Sequence, residues 1–236
     1  MKTVEADFQP FEGDPEEIRH TIPPSHKTLR SRGGLWITGD MVIELSSGFP
    51  ILVRADAPEY ALPYLEDVLI RVSEHTWGMS SIYRANTGLA YKGASFGAVG
   101  KDHLRRRLSV RMTQFTMDNP EFYNTLRILI EMGWSQLGEL SPYFHEAVDT
   151  APKSLPVWRI GDTPYTSGVV NVDSILPYHK DHGNVKSTGS LMWVARKKVK
   201  GGHLHIPELN AIVDCRHGTL FVFYGEEFWH LSLIHI

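Results

Sequence analysis

The sequence predicts an α+β protein in which a jelly-roll β core carries a helical layer packed outside it. Three observations lead there. Short apolar runs separated by turn residues fill the chain after residue 156: VWRI, SGVVNV, LMWVAR, HLHI, AIVDC, TLFVFY and FWH. Two segments of helical periodicity precede them, and no helical segment interrupts the later strands, which argues against a doubly wound sheet. Six or seven strands in about 75 residues, behind a helical region, suit a rolled sheet covered on one side.

Composition sets the limits. The 236 residues are 42% hydrophobic and 22% charged, enough for one sizeable core with a helical annex and too apolar for disorder as the main state. The formal net charge of -3 excludes a global basic excess, so any nucleic-acid contact has to come from local patches. A single cysteine, Cys215, makes neither an internal disulfide nor a cysteine-based metal site, which favours a reducing, cytoplasmic setting. The opening MKTVEADFQPFEGDPEE has no apolar core of a signal peptide, and no run of about 18 apolar residues occurs. A soluble protein without a membrane partner is expected; nothing in the pattern sets an oligomeric state.

Element by element, residues 1–34 read as a poorly structured lead-in that contributes little core, punctuated by Pro23-Pro24 and Gly33-Gly34. Residues 35–150 form an N-terminal α/β support region. Its runs LWI, MVIEL and ILV predict short strands between turns. Leu62, Leu65, Val68, Leu69 and Val72 fall on one face of a helix between Pro58 and Glu74. Ser80 to Arg111 is glycine-rich and one-sided in charge, with seven Lys/Arg against Asp102. A second helix spans Asn119 to His145, with Pro120 in its first turn and a stripe of Phe122, Leu126, Leu129, Ile130 and Trp134. Residues 151–231 are the β core, where Gly201-Gly202 supplies a tight turn and Pro207 ends a strand.

The chemistry concentrates in PYHKDHGN, Pro177 to Asn184. His179 and Asp181 stand two apart at a strand end, so both side chains leave the same face and can share one ion. His230, 51 residues on and just past TLFVFY, is the natural third ligand. Two imidazoles and one carboxylate that leave other positions open are the donor set of non-heme Fe(II) oxygenases; by ligand type alone Zn, Mn and Ni remain open. His203 and His205 are also two apart, but are read as positions on a structural strand, facing solvent or a cavity.

His179-Lys-Asp-His-Gly-Asn184, the strand STGSLMWVAR, the turn and strand KGGHLHIPEL, and HGTLFVFY running into His230 together resemble the TET/JBP family of Fe(II)/2-oxoglutarate-dependent nucleobase dioxygenases. The bacterial and phage-type members are the nearer match. The resemblance covers Trp158 to His230 and, more loosely, Tyr83 to Arg111; residues 1–57 add nothing to it. It implies a double-stranded β-helix, Fe(II) and 2-oxoglutarate, DNA as partner, and oxidation of the 5-methyl group of 5-methylcytosine or thymine. Carried over by residue, it implies that His179, Asp181 and His230 hold the iron, that Asn184 faces the target base, and that Asn171 contacts 2-oxoglutarate. The competing readings are a turn-closing Asn184 beside Gly183 and a strand-end Asn171. His182 is a further candidate for the base pocket, against a solvated loop position. Arg105, Arg106, Arg107 and Arg111 are candidates for DNA phosphates, whereas Arg196-Lys197-Lys198 reads as a solvated hairpin tip. Tyr165, Tyr178 and Trp193 could stack on a base, although core packing is the commoner fate of a strand aromatic.

Family members carry an Arg beyond the distal His that grips the far carboxylate of 2-oxoglutarate. The closing SLIHI, from Ser232, resembles a translated sequencing adapter of the kind seen at the ends of metagenomic reading frames. Residues 232–236 are therefore expected to be non-native, the protein to be truncated at its C-terminus with its activity open, and the last strand to be missing. Two other functions stay open: a 2-oxoglutarate-dependent hydroxylase of a protein or small molecule, and a non-catalytic jelly-roll or cupin-like binding module.

Overall fold

The computed structural model describes residues 1–20, 26–75, 92–100, 109–149, 158–173, 176–181, 184 and 188–233. Its strands are β1 (Lys2–Glu5), β2 (Leu35–Ile37), β3 (Met41–Glu44), β4 (Pro50–Asp56), β5 (Lys92–Val99), β6 (Arg111–Met112), β7 (Ser167–Val172), β8 (Ser190–Val194), β9 (His203–Ile206), β10 (Ala211–Val213), β11 (Thr219–Phe223) and β12 (Leu231–Leu233). The helices are α1 (Pro15–His20), α2 (His26–Ser31), α3 (Leu62–Glu74), α4 (Gln114–Asp118), α5 (Pro120–Leu140) and α6 (Pro142–Asp149).

The strands make three sheets: β1-β3-β4-β11-β8, β12-β9-β10-β2 and β6-β5-β7. Pairing is antiparallel except for β1 with β3 and β2 with β10. The first two sheets share one core, with Val53, Phe221 and Phe223 contributed by one and Leu204, Ile206 and Val213 by the other. Phe223 and Ile206 are 0% exposed, and each such residue contributes roughly 1.5–3 kcal/mol by leaving water. The mixed α+β architecture expected from the runs of apolar residues is present.

The helical layer follows from one glycine. A Cβ at Gly133 would stand 2.9 Å from Trp193 Nε1 and 3.1 Å from the methyl carbons of Leu191, so only glycine lets α5 lie this close to β8. Trp193 Nε1 then donates to the Leu129 carbonyl at 2.7 Å. Phe122, Leu126, Leu129, Trp134 and Leu137 form the buried stripe. The helix expected to run to His145 stops at Leu140, because Pro142 forces Ser141 to an extended backbone (φ -146°) before α6 begins.

Two expectations differ from the structure. VWRI is no strand over its described part: Trp158 to Ile160 is a turn, closed by Ile160 N–H donating to the Tyr165 carbonyl at 2.7 Å, and Ile160 is fully buried as a plug. Residues 1–34, expected to add little core, supply β1 and two helices and bury Ala6, Ile18 and Leu29. Isolated apolar residues in a polar segment have no period to reveal them; distant partners create their burial. Residues 232 and 233, the start of the tail expected to be non-native, continue β12 opposite Leu204 and His203 of β9, as an extended backbone beside an open edge will. Gly201 and Gly202 take φ of 75° and 68°, the conformations their turn requires. Among the described residues no helix is long and apolar enough to cross a membrane.

Candidate metal centre

Two segments meet between the first two sheets. His179 and His230 form an antiparallel bridge, each backbone N–H donating to the other's carbonyl at 3.0 Å. His230 immediately precedes β12, so this bridge ties the 176–181 segment to the sheet built on β9. The Asp181 N–H donates to the Gly225 carbonyl at 2.8 Å, just past the end of β11, which ties the same segment to the other sheet. Alternate side chains of an extended segment leave opposite faces. His179 and Asp181 therefore reach the centre while Tyr178 packs on the other side.

The three side groups converge. His179, Asp181 and His230 each offer a ligand atom, all within 4.8 Å of one another. Asp181 Oδ1 lies 3.7 Å from His179 Nε2 and 3.8 Å from His230 Nε2. Two ligands at right angles on metal bonds of about 2.1 Å stand about 3 Å apart, so a cation needs the Asp181 oxygen to close on each imidazole nitrogen by less than about 1 Å. The imidazoles are already set for it. His179 Nδ1 lies 2.8 Å from the Pro177 carbonyl and His230 Nδ1 lies 3.0 Å from the Phe228 carbonyl. A carbonyl only accepts, so each Nδ1 carries the proton and each Nε2 presents a lone pair. Two such lone pairs held within 4 Å of one carboxylate oxygen make an electron-rich cluster that a cation between them relieves. The donor set thus fits a divalent metal.

Access is one-sided. His179 is 5% exposed and His230 is 2% exposed, with the Phe223 ring edge-on to His230 at 4.9 Å. Asp181 keeps 18% of its side-chain surface, so solvent and ligands approach from the carboxylate side. There Asn184 Nδ2 donates to Ser190 Oγ at 2.8 Å, and Asn184 is exposed.

Behind the centre the structure pairs Tyr178, named above as a stacking candidate, with His205, named as a strand position facing solvent or a cavity. Tyr178 Oη stands 2.6 Å from His205 Nδ1, and both residues are buried. Burial raises the Tyr178 pKa, so its hydroxyl stays protonated and donates. Burial also pushes His205 down to about 4, which keeps it neutral with Nδ1 as acceptor. Glu208, just after β9, accepts the Trp229 N–H on Oε1 at 2.9 Å, and burial raises its pKa. Phe11 packs on Tyr178 at 5.3 Å, and Ile18 and Leu231 complete that cluster.

The other candidates scatter. Asn171 is exposed on β7, opposite Gly93 of β5, in the three-stranded sheet. Arg111 is exposed on β6 of the same sheet. His182, Arg105, Arg106 and Arg107 lie outside the described residues. Tyr178 and Trp193 are spent on internal hydrogen bonds, and Tyr165 packs edge-on to Trp134 at 5.9 Å, so all three serve the core. His203 meets Asp214 Oδ1 at 3.2 Å and Trp36 edge-on at 5.1 Å, apart from His205. The signal that would have found Glu208 is slight: an acid directly after a strand-ending proline, in a stretch otherwise apolar.

No family model and no curated protein matches the chain by sequence. Among solved structures it is similar to NgTET1 of Naegleria, determined in complex with 5mC DNA, at a TM-score of 0.57 and 14% identity over 85% of this chain and 74% of that one. The likeness is one of fold alone, and within that fold the His179, Asp181 and His230 side chains of this chain meet.

Proposed function

We propose that the protein is an Fe(II)/2-oxoglutarate-dependent dioxygenase that hydroxylates the 5-methyl group of a pyrimidine base in DNA, with 5-methylcytosine favoured over thymine. The observation that carries the reading is the gathering of both imidazole Nε2 atoms around one Asp181 oxygen, 3.7 and 3.8 Å away, in a fold shared with a protein solved on 5mC DNA. His179, His230 and Asp181 would hold the metal on one face and leave the other face open to ligands. Fe(II) with 2-oxoglutarate and O₂ supplies, when bound, the oxidising power to hydroxylate a methyl group.

The protein's own contribution is placement. The Pro177 and Phe228 carbonyls fix the tautomers, and Phe223 excludes water from the His230 side. The exposed Asn184 amide stands at the open side, where an amide can both donate to and accept from a pyrimidine edge. A base stacked in a duplex cannot reach a centre this enclosed, so the substrate would be flipped or unpaired. Arg111 and the Arg105 to Arg107 run are the proposed phosphate contacts.

Incubation of the protein with Fe(II), 2-oxoglutarate, ascorbate and methylated DNA, followed by nucleoside mass spectrometry, tests the proposal. New 5-hydroxymethyl bases support it. Succinate released without base change points to a different substrate, and metal binding without either product points to a binding module.

A further inference from the structure

We propose that His205 and Glu208 are positioning residues that set the metal centre from behind, each gripping one of the two segments that carry the ligands. The inference rests on the metal-centre reading above. Backbone bonds join the ligand segments to each other, through His179 with His230, and to Gly225 through Asp181. Among the described residues, β12 and two side-chain hydrogen bonds tie the joined pair to the β9 sheet. Both of those bonds come from one short stretch, His205 to Glu208. His205 Nδ1 takes the Tyr178 hydroxyl at 2.6 Å, one residue before His179. Glu208 Oε1 takes the Trp229 N–H at 2.9 Å, one residue before His230.

The two grips are therefore equivalent in place: each acts on the residue just ahead of a ligand imidazole. Both are out of water, with His205 and Glu208 each 3% exposed, so a lost partner is not replaced by solvent. The stretch is itself fixed. Ile206 is fully buried between the grips, and the Glu208 carbonyl accepts the Gln9 N–H at 2.8 Å. A shift of either grip turns one imidazole relative to the other, and loss of such orienting partners costs metal affinity about 10- to 100-fold.

The test uses Co(II) as probe, with its affinity read by titration and its geometry by the visible d–d bands. Variants of the full-length protein are Tyr178→Phe, His205→Leu, Glu208→Leu and Glu208→Gln. The first three are expected to weaken Co(II) binding about tenfold or more and to alter the d–d spectrum, as lost supporting bonds do at metal sites. Glu208→Gln keeps an acceptor oxygen for the Trp229 N–H and is expected to stay within about twofold of the unmodified protein, with its spectrum. Tyr178→Phe removes the same bond as His205→Leu while keeping the ring, so a folding failure of the His205 variant leaves the question answerable. Unchanged Co(II) affinity and spectrum in Tyr178→Phe and Glu208→Leu would overturn the inference, as would a Gln variant as weak as the Leu variant. If the unmodified protein itself bound no Co(II), the metal reading would fall first and this inference with it.

Discussion

The Asp181 carboxylate rests against the bare backbone of Gly225: a Cβ at that glycine would stand 2.5 Å from Asp181 Oδ2 and 3.2 Å from its Cγ. The same glycine accepts the Asp181 N–H through its carbonyl at 2.8 Å. Absence of a side chain at 225 therefore decides where the ligand oxygen points. Replacing Gly225 with Ala forces the carboxylate aside while its backbone stays tethered. Co(II) titration of Gly225→Ala is expected to show affinity reduced about tenfold or more. Wild-type affinity would mean that the carboxylate turns away at no cost to binding.

The donor set predicts that a divalent metal stabilises the folded state. Metal at about 100 times its dissociation constant adds about 2.7 kcal/mol, which in a protein of this size raises Tm by roughly 5–10 °C. Thermal melts with Fe(II) under anaerobic conditions, or with Co(II), should show that rise, and a chelator should abolish it. His179→Ala, Asp181→Asn and His230→Ala should each lose most of it, because three ligands are the fewest that hold one face. A rise that survives all three substitutions would place the metal elsewhere.

How much of this was readable from the residues depends on the range of the interaction. Parity alone placed His179 and Asp181 on one face, and the apolar strand ahead of His230 put the third ligand at a strand end. The α3 and α5 stripes were equally plain, since periodicity is local. Phe11 and Ile18 lack such a signal: each is an isolated apolar residue whose burial depends on Tyr178 and Leu231, more than 150 residues away in sequence. His205 shows the same limit from the polar side. An HxH strand pattern leaves open a solvent-facing, cavity-facing or metal-facing side chain, and only the fold brings the Tyr178 hydroxyl to it.

Burial of His205 makes stability depend on pH in a defined direction. Its pKa falls from 6.5 unfolded to about 4 folded, so the folded state resists protonation. The associated stability is complete above pH 6.5 and drains away as pH falls toward 4. The full loss is on the order of 3 kcal/mol. Glu208 acts oppositely, since its raised pKa removes stability as pH rises from the ordinary carboxylate range. Urea unfolding of the unmodified protein and of His205→Gln, across pH 4 to 7, isolates the histidine. The difference between the two should shrink steadily with acidification, and a constant difference would show that His205 does not titrate between those limits.

Trp193 provides the contrast between core and centre. Its Nε1 donates to the Leu129 carbonyl at 2.7 Å, on the face of β8 against which α5 lies through Gly133. Trp193→Phe removes this second bond to a carbonyl that already accepts within α5 and leaves part of the indole volume empty, at a cost of about 1–3 kcal/mol. The residue points away from the metal, since the side chains that follow Ser190 alternate and Ser190 Oγ lies on the Asp181 side of the strand. Trp193→Phe is therefore expected to lower the denaturation midpoint while leaving Co(II) affinity within about twofold of the unmodified protein. Parallel losses of stability and affinity would instead show that the helical layer and the metal centre form one cooperative unit, and that α5 supports the ligands through β8.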